Sequence, residues 1–237
     1  MTDFHHFAIR VTVCLVSSAM IAAGPTEVAA QDRSDSSETE HPSARWESDI
    51  QKFEEQDQKH APKQNHVLFV GSSSIRKWKL DQSFPKIKPI NRGFGGSQIA
   101  DSIHFADRLI LKHHPRTVVL YAGDNDLAKG KSPERVEADF KQFVATIHKP
   151  LPETKIVFIA IKPSISRWKL IDQVRAANAA VAAICSKNDR LEFVDIDKPM
   201  IGDDGKPRKD LFVKDGLHLS DDGYVIWTNL VRPHIVD

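Results

Sequence analysis

Three serines stand in a row, Ser72, Ser73 and Ser74, directly after a glycine and the apolar run Val67 to Val70. A serine hydroxyl is a weak nucleophile until a base takes its proton. His218 can be that base, because an imidazole titrates near neutral pH. Asp215, three residues earlier in "DGLH", can reach the same cleft within one turn and orient the ring. Attack on an ester carbonyl also needs donors aimed at the oxyanion. Backbone N–H groups of the glycine-rich "GFGG" can approach closely, and Asn125 in "GDND" adds a side-chain amide. These residue types together suit acyl transfer. Which of the three serines would attack stays open on this reading.

The elements that must position these groups are legible as an alternation. Strand-like runs, short and apolar throughout, are His66–Val70, Ile87–Ile90, Thr117–Ala122, Lys155–Ile161 and Leu191–Ile196. Strands covered on both faces read this way. Helical patterns lie between. Ser132-Pro133 gives a cap and a first-turn proline before Val136, Phe140, Phe143 and Ile147. Leu170 to Ile184 forms a second stripe, and Ser220 caps a third through Tyr224, Trp227 and Val231. A weaker helix is expected over 99–113, with His113 and His114 exposed at its end. Alternating strands and helices imply a parallel sheet with helices on both faces. In such sheets the working groups gather at the carboxyl ends of the strands. The serines, "NRGFGGSQ" and "GDND" each follow a strand, and "DGLH" follows the fifth past a loop.

"FVGSSSIRKW", "NRGFGG", "GDND" and "DGLH" resemble, in order and spacing, the four sequence blocks of the SGNH hydrolases, also called the GDSL esterase/lipase family. The resemblance spans residues 66–235. It implies a flavodoxin-like three-layer α/β/α sandwich with a five-stranded parallel sheet. It also implies the site residues: Ser73 as nucleophile and oxyanion donor, Gly96 and Asn125 as further oxyanion donors, Asp215 and His218 as the relay. Ser72 stands where the family's Gly-Asp-Ser has aspartate, which leaves Ser72 and Ser74 as alternatives to Ser73. Taken singly, each block has a plainer reading: a helix cap, a loop, a turn, a helix approach. Four in family order do not.

The rest of the chain bounds the reading. With 237 residues, 41% hydrophobic and 27% charged, it suits one domain with an appendage. A net charge of +1 and scattered basic residues exclude a nucleic-acid footprint. Residues 11–24 are apolar or small, and "VAA" ends at Ala30, so residues 1–30 are expected to be a cleaved secretory leader and the protein to be secreted or periplasmic, with no stable membrane insertion afterwards. Cys14 lacks a lipoprotein context. Residues 31–45 read as a disordered linker, and 46–237 as the hydrolase domain, opening on an amphipathic helix over 46–58 through Trp46, Ile50 and Phe53. Cys185 reads as a core residue. No ligand cluster, phosphate loop or dinucleotide fingerprint is present, so no metal and no cofactor is expected.

Gly71 is expected to make the turn out of the first strand, Arg92 and Asp126 to brace loops, and Trp78 and Trp168 are candidate cleft walls. The expected substrate is a small ester or an acylated glycan or lipid, with a lean to acetyl groups on a glycan. Lipase, lysophospholipase and thioesterase activities are alternatives within the family. The rivals from outside it are a non-catalytic glycan- or lipid-binding module and a metal-dependent phosphodiesterase or phosphatase on the same sheet. Acyl-chain length and oligomeric state are not legible.

Overall fold

The computed structural model describes residues 41–60 and 65–236. The leader and most of the linker expected from sequence lie outside the described residues. Five parallel strands form one sheet: β1 (Val67–Gly71), β2 (Ile90–Gly93), β3 (Thr117–Tyr121), β4 (Lys155–Ile159) and β5 (Leu191–Val194). Their order is β2-β1-β3-β4-β5, with Leu68 beside both Ile90 and Val118 and Phe158 beside Phe193. This is the doubly wound flavodoxin-like order. Its switch point, where successive connections leave in opposite directions, falls between β1 and β3.

Side chains alternate across each strand, and both faces are covered. Leu68, Val70, Val118, Leu120, Ile156 and Phe158 enter one core. Val67, Phe69, Val119, Tyr121, Val157 and Ile159 enter the other. Each such aliphatic or aromatic side chain contributes roughly 1.5–3 kcal/mol on full burial. The first core is closed by helices Pro133–His148 and Ile171–Cys185, the second by helix Asp221–Val231. Ser132 and Ser220 cap two of these, accepting from the N–H of Arg135 (3.3 Å) and Gly223 (3.2 Å). No helix among the described residues is long and apolar enough to cross a membrane.

The structure corrects the sequence reading at several places. The second strand is displaced from 87–90 to Ile90–Gly93. Lys88 is left-handed (φ 50°), which breaks any strand through it. Asn91 and Arg92 can then sit in a strand because β2 is an edge. The helix expected over 99–113 is three short pieces, Ile99–His104, Ala106–Leu109 and Leu111–His113, broken at Phe105 and Ile110. Those breaks allow the adjacent pairs Phe105–Ala106 and Leu109–Ile110 all to be buried. The linker expected to reach residue 45 ends earlier. Pro42–Trp46 is a 3₁₀ turn in which the His41 ring accepts the Ser43 N–H and the Ser43 hydroxyl donates to Asp101 at 2.7 Å. Helix Glu47–Lys59 follows and is clamped by Arg108, which bridges Glu47 and Glu54.

His113, expected at the surface, is buried 3.3 Å from Asp57. Burial pushes its pKa down to about 4, against the pull of Asp57 and helped by Arg92 and Lys112. The unfolded chain binds a proton at its ordinary value of about 6.5. The stability from the neutral buried ring is therefore complete above about 6.5 and is lost as pH falls towards 4. We expect the thermal midpoint, followed by circular dichroism, to drop more between pH 7 and pH 4.5 in the wild type than in His113→Asn. Equal drops would contradict the assignment.

Candidate active site

Gly71 brings β1 to its end with φ +133°, and a Cβ there would lie 2.0 Å from the carbonyl oxygen of Tyr121. Only glycine allows this approach. The N–H of Ser72 donates to the same carbonyl at 3.0 Å. A short helix, Ser73–Arg76, starts at once. The three serines part company here. Ser72 and Ser74 are buried, and Ser74 accepts from Lys162 Nζ at 3.2 Å. Ser73 alone is part-exposed. Asn91 secures this helix, donating to the carbonyl of Ile75 at 2.9 Å while its own carbonyl oxygen accepts from the N–H of Gly93.

Ser73 Oγ lies 3.0 Å from His218 Nε2. His218 Nδ1 lies 2.6 Å from Asp215 Oδ2. Asp215 Oδ1 accepts the N–H groups of Leu217 (2.8 Å) and His218 (2.9 Å), so the loop's own backbone orients the carboxylate. Gly216 makes that turn at φ +63°. The N–H of Val213 donates to the carbonyl of His218 and closes the loop. Burial works against the Asp215 charge, yet the His218 ring and the two backbone donors hold its carboxyl well below the usual range. With Nδ1–H facing a carboxylate, Nε2 is left as acceptor for the Ser73 hydroxyl. Such a chain can move the hydroxyl proton to an imidazole and stabilise the imidazolium that forms.

The turn after β2 is pinned to β1 by the Phe94 N–H on the carbonyl of Gly71 (2.9 Å) and to itself by Ser97 Oγ on the carbonyl of Phe94 (2.9 Å). Gly96 is exposed there at φ +77°. Asn125 follows β3. Its Nδ2 donates to the carbonyl of Ser97 at 3.0 Å, which places the amide against the Gly96 turn. Its Oδ1 accepts from Arg167 at 2.9 Å. The β1 and β3 loops that carry Ser73 and Asn125 flank the topological switch point.

The structure thus assembles Ser73, His218 and Asp215 in one hydrogen-bonded chain and sets Asn125 beside the Gly96 turn. It takes Trp78 away, while Arg92 and Asp126 brace neighbouring elements as expected. Trp78, a candidate cleft wall, is 3% exposed and packs among Phe69, Phe84, Tyr224 and Trp227, because its position in the turn after the short helix points it into the second core. Trp168 is half-buried under Lys206 and next to Arg167. Arg92 pairs with Asp57 and so anchors the N-terminal helix. Asp126 is buried, which raises its carboxyl, and it pairs with Lys131 at 2.8 Å. Burial pushes the Cys185 thiol up to about 11, leaving it unreactive. No group of three or more metal-ligating side chains occurs among the described residues.

Sequence reasoning missed Lys162 and Arg167. Both follow β4, in "KPSISR", which lies outside the four blocks; the rule that strand ends collect functional groups was the signal available. Burial would raise the Asp124 carboxyl, but Lys162 and Arg167 outweigh it and hold it below its ordinary value. Trp46 was also missed as a neighbour of the site: a Cβ on Gly96 would lie 3.4 Å from its ring.

A family model described as the GDSL-like Lipase/Acylhydrolase family matches residues 71–226. No curated protein matches. Among solved structures, a candidate platelet activating factor from Streptococcus pneumonia aligns with TM-score 0.72 at 20% identity, covering 81% of this chain and 94% of its own. A GDSL-like lipase from Bacteroides thetaiotaomicron aligns with TM-score 0.65 at 19% identity, covering 82% and 97%. A family 3 carbohydrate esterase from Clostridium thermocellum aligns with TM-score 0.57 at 18% identity, covering 73% and 98%. At these identities the likeness is one of fold.

Proposed function

Because the chain belongs to the GDSL-like lipase/acylhydrolase family of hydrolases, we propose that it is a serine esterase whose nucleophile is Ser73. The observation that carries this reading is the unbroken chain Asp215–His218–Ser73, at 2.6 Å and 3.0 Å. His218 Nε2 takes the Ser73 proton as Oγ attacks the ester carbonyl. The oxyanion is held by the N–H groups of Ser73 and Gly96 and by the Asn125 amide. The intermediate collapses, and His218 gives its proton to the departing alcohol. Water, activated by the same nitrogen, then attacks the acyl-enzyme and releases acid and free serine. Each oxyanion donor is worth roughly 100- to 1000-fold in rate.

The substrate we propose is a short acyl ester, such as acetyl on a glycan. One neighbour in fold is a carbohydrate esterase. The leader-like residues 1–30 support an extracytoplasmic substrate. A second reading, a lipase or thioesterase for longer chains, is favoured by Ile165 and Val213, 38% and 45% exposed beside the Asp215–His218 loop. A p-nitrophenyl ester series from acetate to palmitate separates them. We expect kcat/KM to be highest for acetate and to fall with chain length. A maximum at octanoate or beyond would establish the second reading, and no turnover of any ester by folded protein would favour a non-catalytic binding module.

A further inference from the structure

An asparagine amide offers two N–H hydrogens and one carbonyl oxygen. At Asn125, Arg167 occupies the oxygen at 2.9 Å, and the carbonyl of Ser97 occupies one hydrogen at 3.0 Å. One N–H is left over. Turning the amide by 180° would set its oxygen against the Ser97 carbonyl and its NH₂ against the guanidinium, acceptor on acceptor and donor on donor. It would also aim an oxygen where an N–H is wanted.

Arg167 is itself held. Its Nη1 lies 3.0 Å from Asp124 Oδ2 as an ion pair without hydrogen-bond alignment, and the same oxygen accepts from Lys162 Nζ at 3.1 Å. Asp124 Oδ1 accepts the N–H of Asn125 at 3.0 Å. Lys162 is 1% exposed on its side chain, and its three hydrogens have three acceptors: Asp124, Tyr121 Oη at 2.9 Å and Ser74 Oγ at 3.2 Å. A buried ammonium is tolerated only when it is paired and fully hydrogen-bonded, as here. The cluster therefore ties the Ser73 helix, the end of β3 and the loop after β4 into one rigid base under Asn125.

We propose that Arg167, braced by the buried Asp124–Lys162 pair, is a positioning residue that locks the Asn125 amide with its free N–H towards the oxyanion. This rests on the reading that Asn125 is an oxyanion donor. Arg167 also withdraws electron density from Oδ1, which strengthens Nδ2–H as a donor. The effect is felt in the transition state, where the oxygen carries charge, and scarcely in substrate binding.

The test is a double-mutant cycle on the full-length enzyme with p-nitrophenyl acetate. Arg167→Met is expected to lower kcat about 10- to 100-fold, up to the worth of one oxyanion donor, with KM within about twofold. Phenylboronic acid, a tetrahedral mimic, should bind more weakly by a similar factor. In an Asn125→Ala background the same substitution should cost less than about twofold, because the two act as one unit. Arg167→Lys keeps a donor and the pairing with Asp124, and should recover part of the loss. If Arg167→Met fails to fold, the cycle is run with Arg167→Lys. A rise in KM at constant kcat, or a full additional loss without Asn125, would overturn the inference. The reading beneath it fails separately: it is Asn125→Ala alone that would then leave kcat unchanged.

Discussion

Ser73→Ala is expected to lose about a million-fold in kcat towards p-nitrophenyl acetate, the scale set when the nucleophile of a serine triad is removed. Ser72→Ala is expected to stay within about tenfold of wild type, and Ser74→Ala to lose far less than Ser73→Ala, since neither breaks a bond to a reacting atom. The contrast follows from three side chains that differ only in place. Ser72 is fully buried, with no partner for its hydroxyl among the described residues, so an alanine there removes a group that gains nothing from folding. Ser74 spends its oxygen on Lys162 and is closed to solvent. Ser73 is part-exposed and 3.0 Å from the imidazole. Far-ultraviolet circular dichroism should be unchanged in Ser73→Ala, because among the described residues its hydroxyl bonds only to the His218 ring. A variant that keeps a tenth of wild-type kcat would move the chemistry elsewhere.

His218→Ala is expected to cost as much as Ser73→Ala, again about a million-fold in kcat, and the double variant no more than either single one. Base and nucleophile fail together because each is useless without the other. The fold should survive, since the backbone N–H and carbonyl of His218, which bond Asp215 and Val213, are kept in alanine. Asp215→Asn should be milder, about ten-thousand-fold, because it disturbs the ring's tautomer and leaves base and nucleophile in place. Steady-state kinetics of the four variants checks the order. Losses that multiply in the double variant would show that serine and histidine work independently.

The fold was legible because its strands are apolar throughout and its helices carry caps that bond as their sequence implies, at Ser132 and Ser220. Where the reading slipped, tertiary context outweighed local pattern. β2 is an edge, so polar Asn91 and Arg92 enter a strand. His113 is drawn under Asp57 by a helix 54 or more residues earlier in the chain. Trp78 sits beside the nucleophile helix in sequence but turns into the aromatic core. The four blocks stood out because they occur together and in family order at strand ends; singly, each reads as a turn or a cap. Lys162 and Arg167 gave no such sign. A lysine after an apolar run reads as a solvated end, and its acceptors come from Ser74 and Tyr121, 88 and 41 residues away.

The central claim is that Ser73 forms the covalent intermediate. It is tested most directly by treating the protein with diethyl p-nitrophenyl phosphate and locating the adduct by peptide mass mapping. One diethylphosphoryl group per chain, on Ser73, with loss of esterase activity in proportion to labelling, is the predicted result. An adduct on Ser72 or Ser74, or full inactivation with Ser73 unmodified, would contradict it.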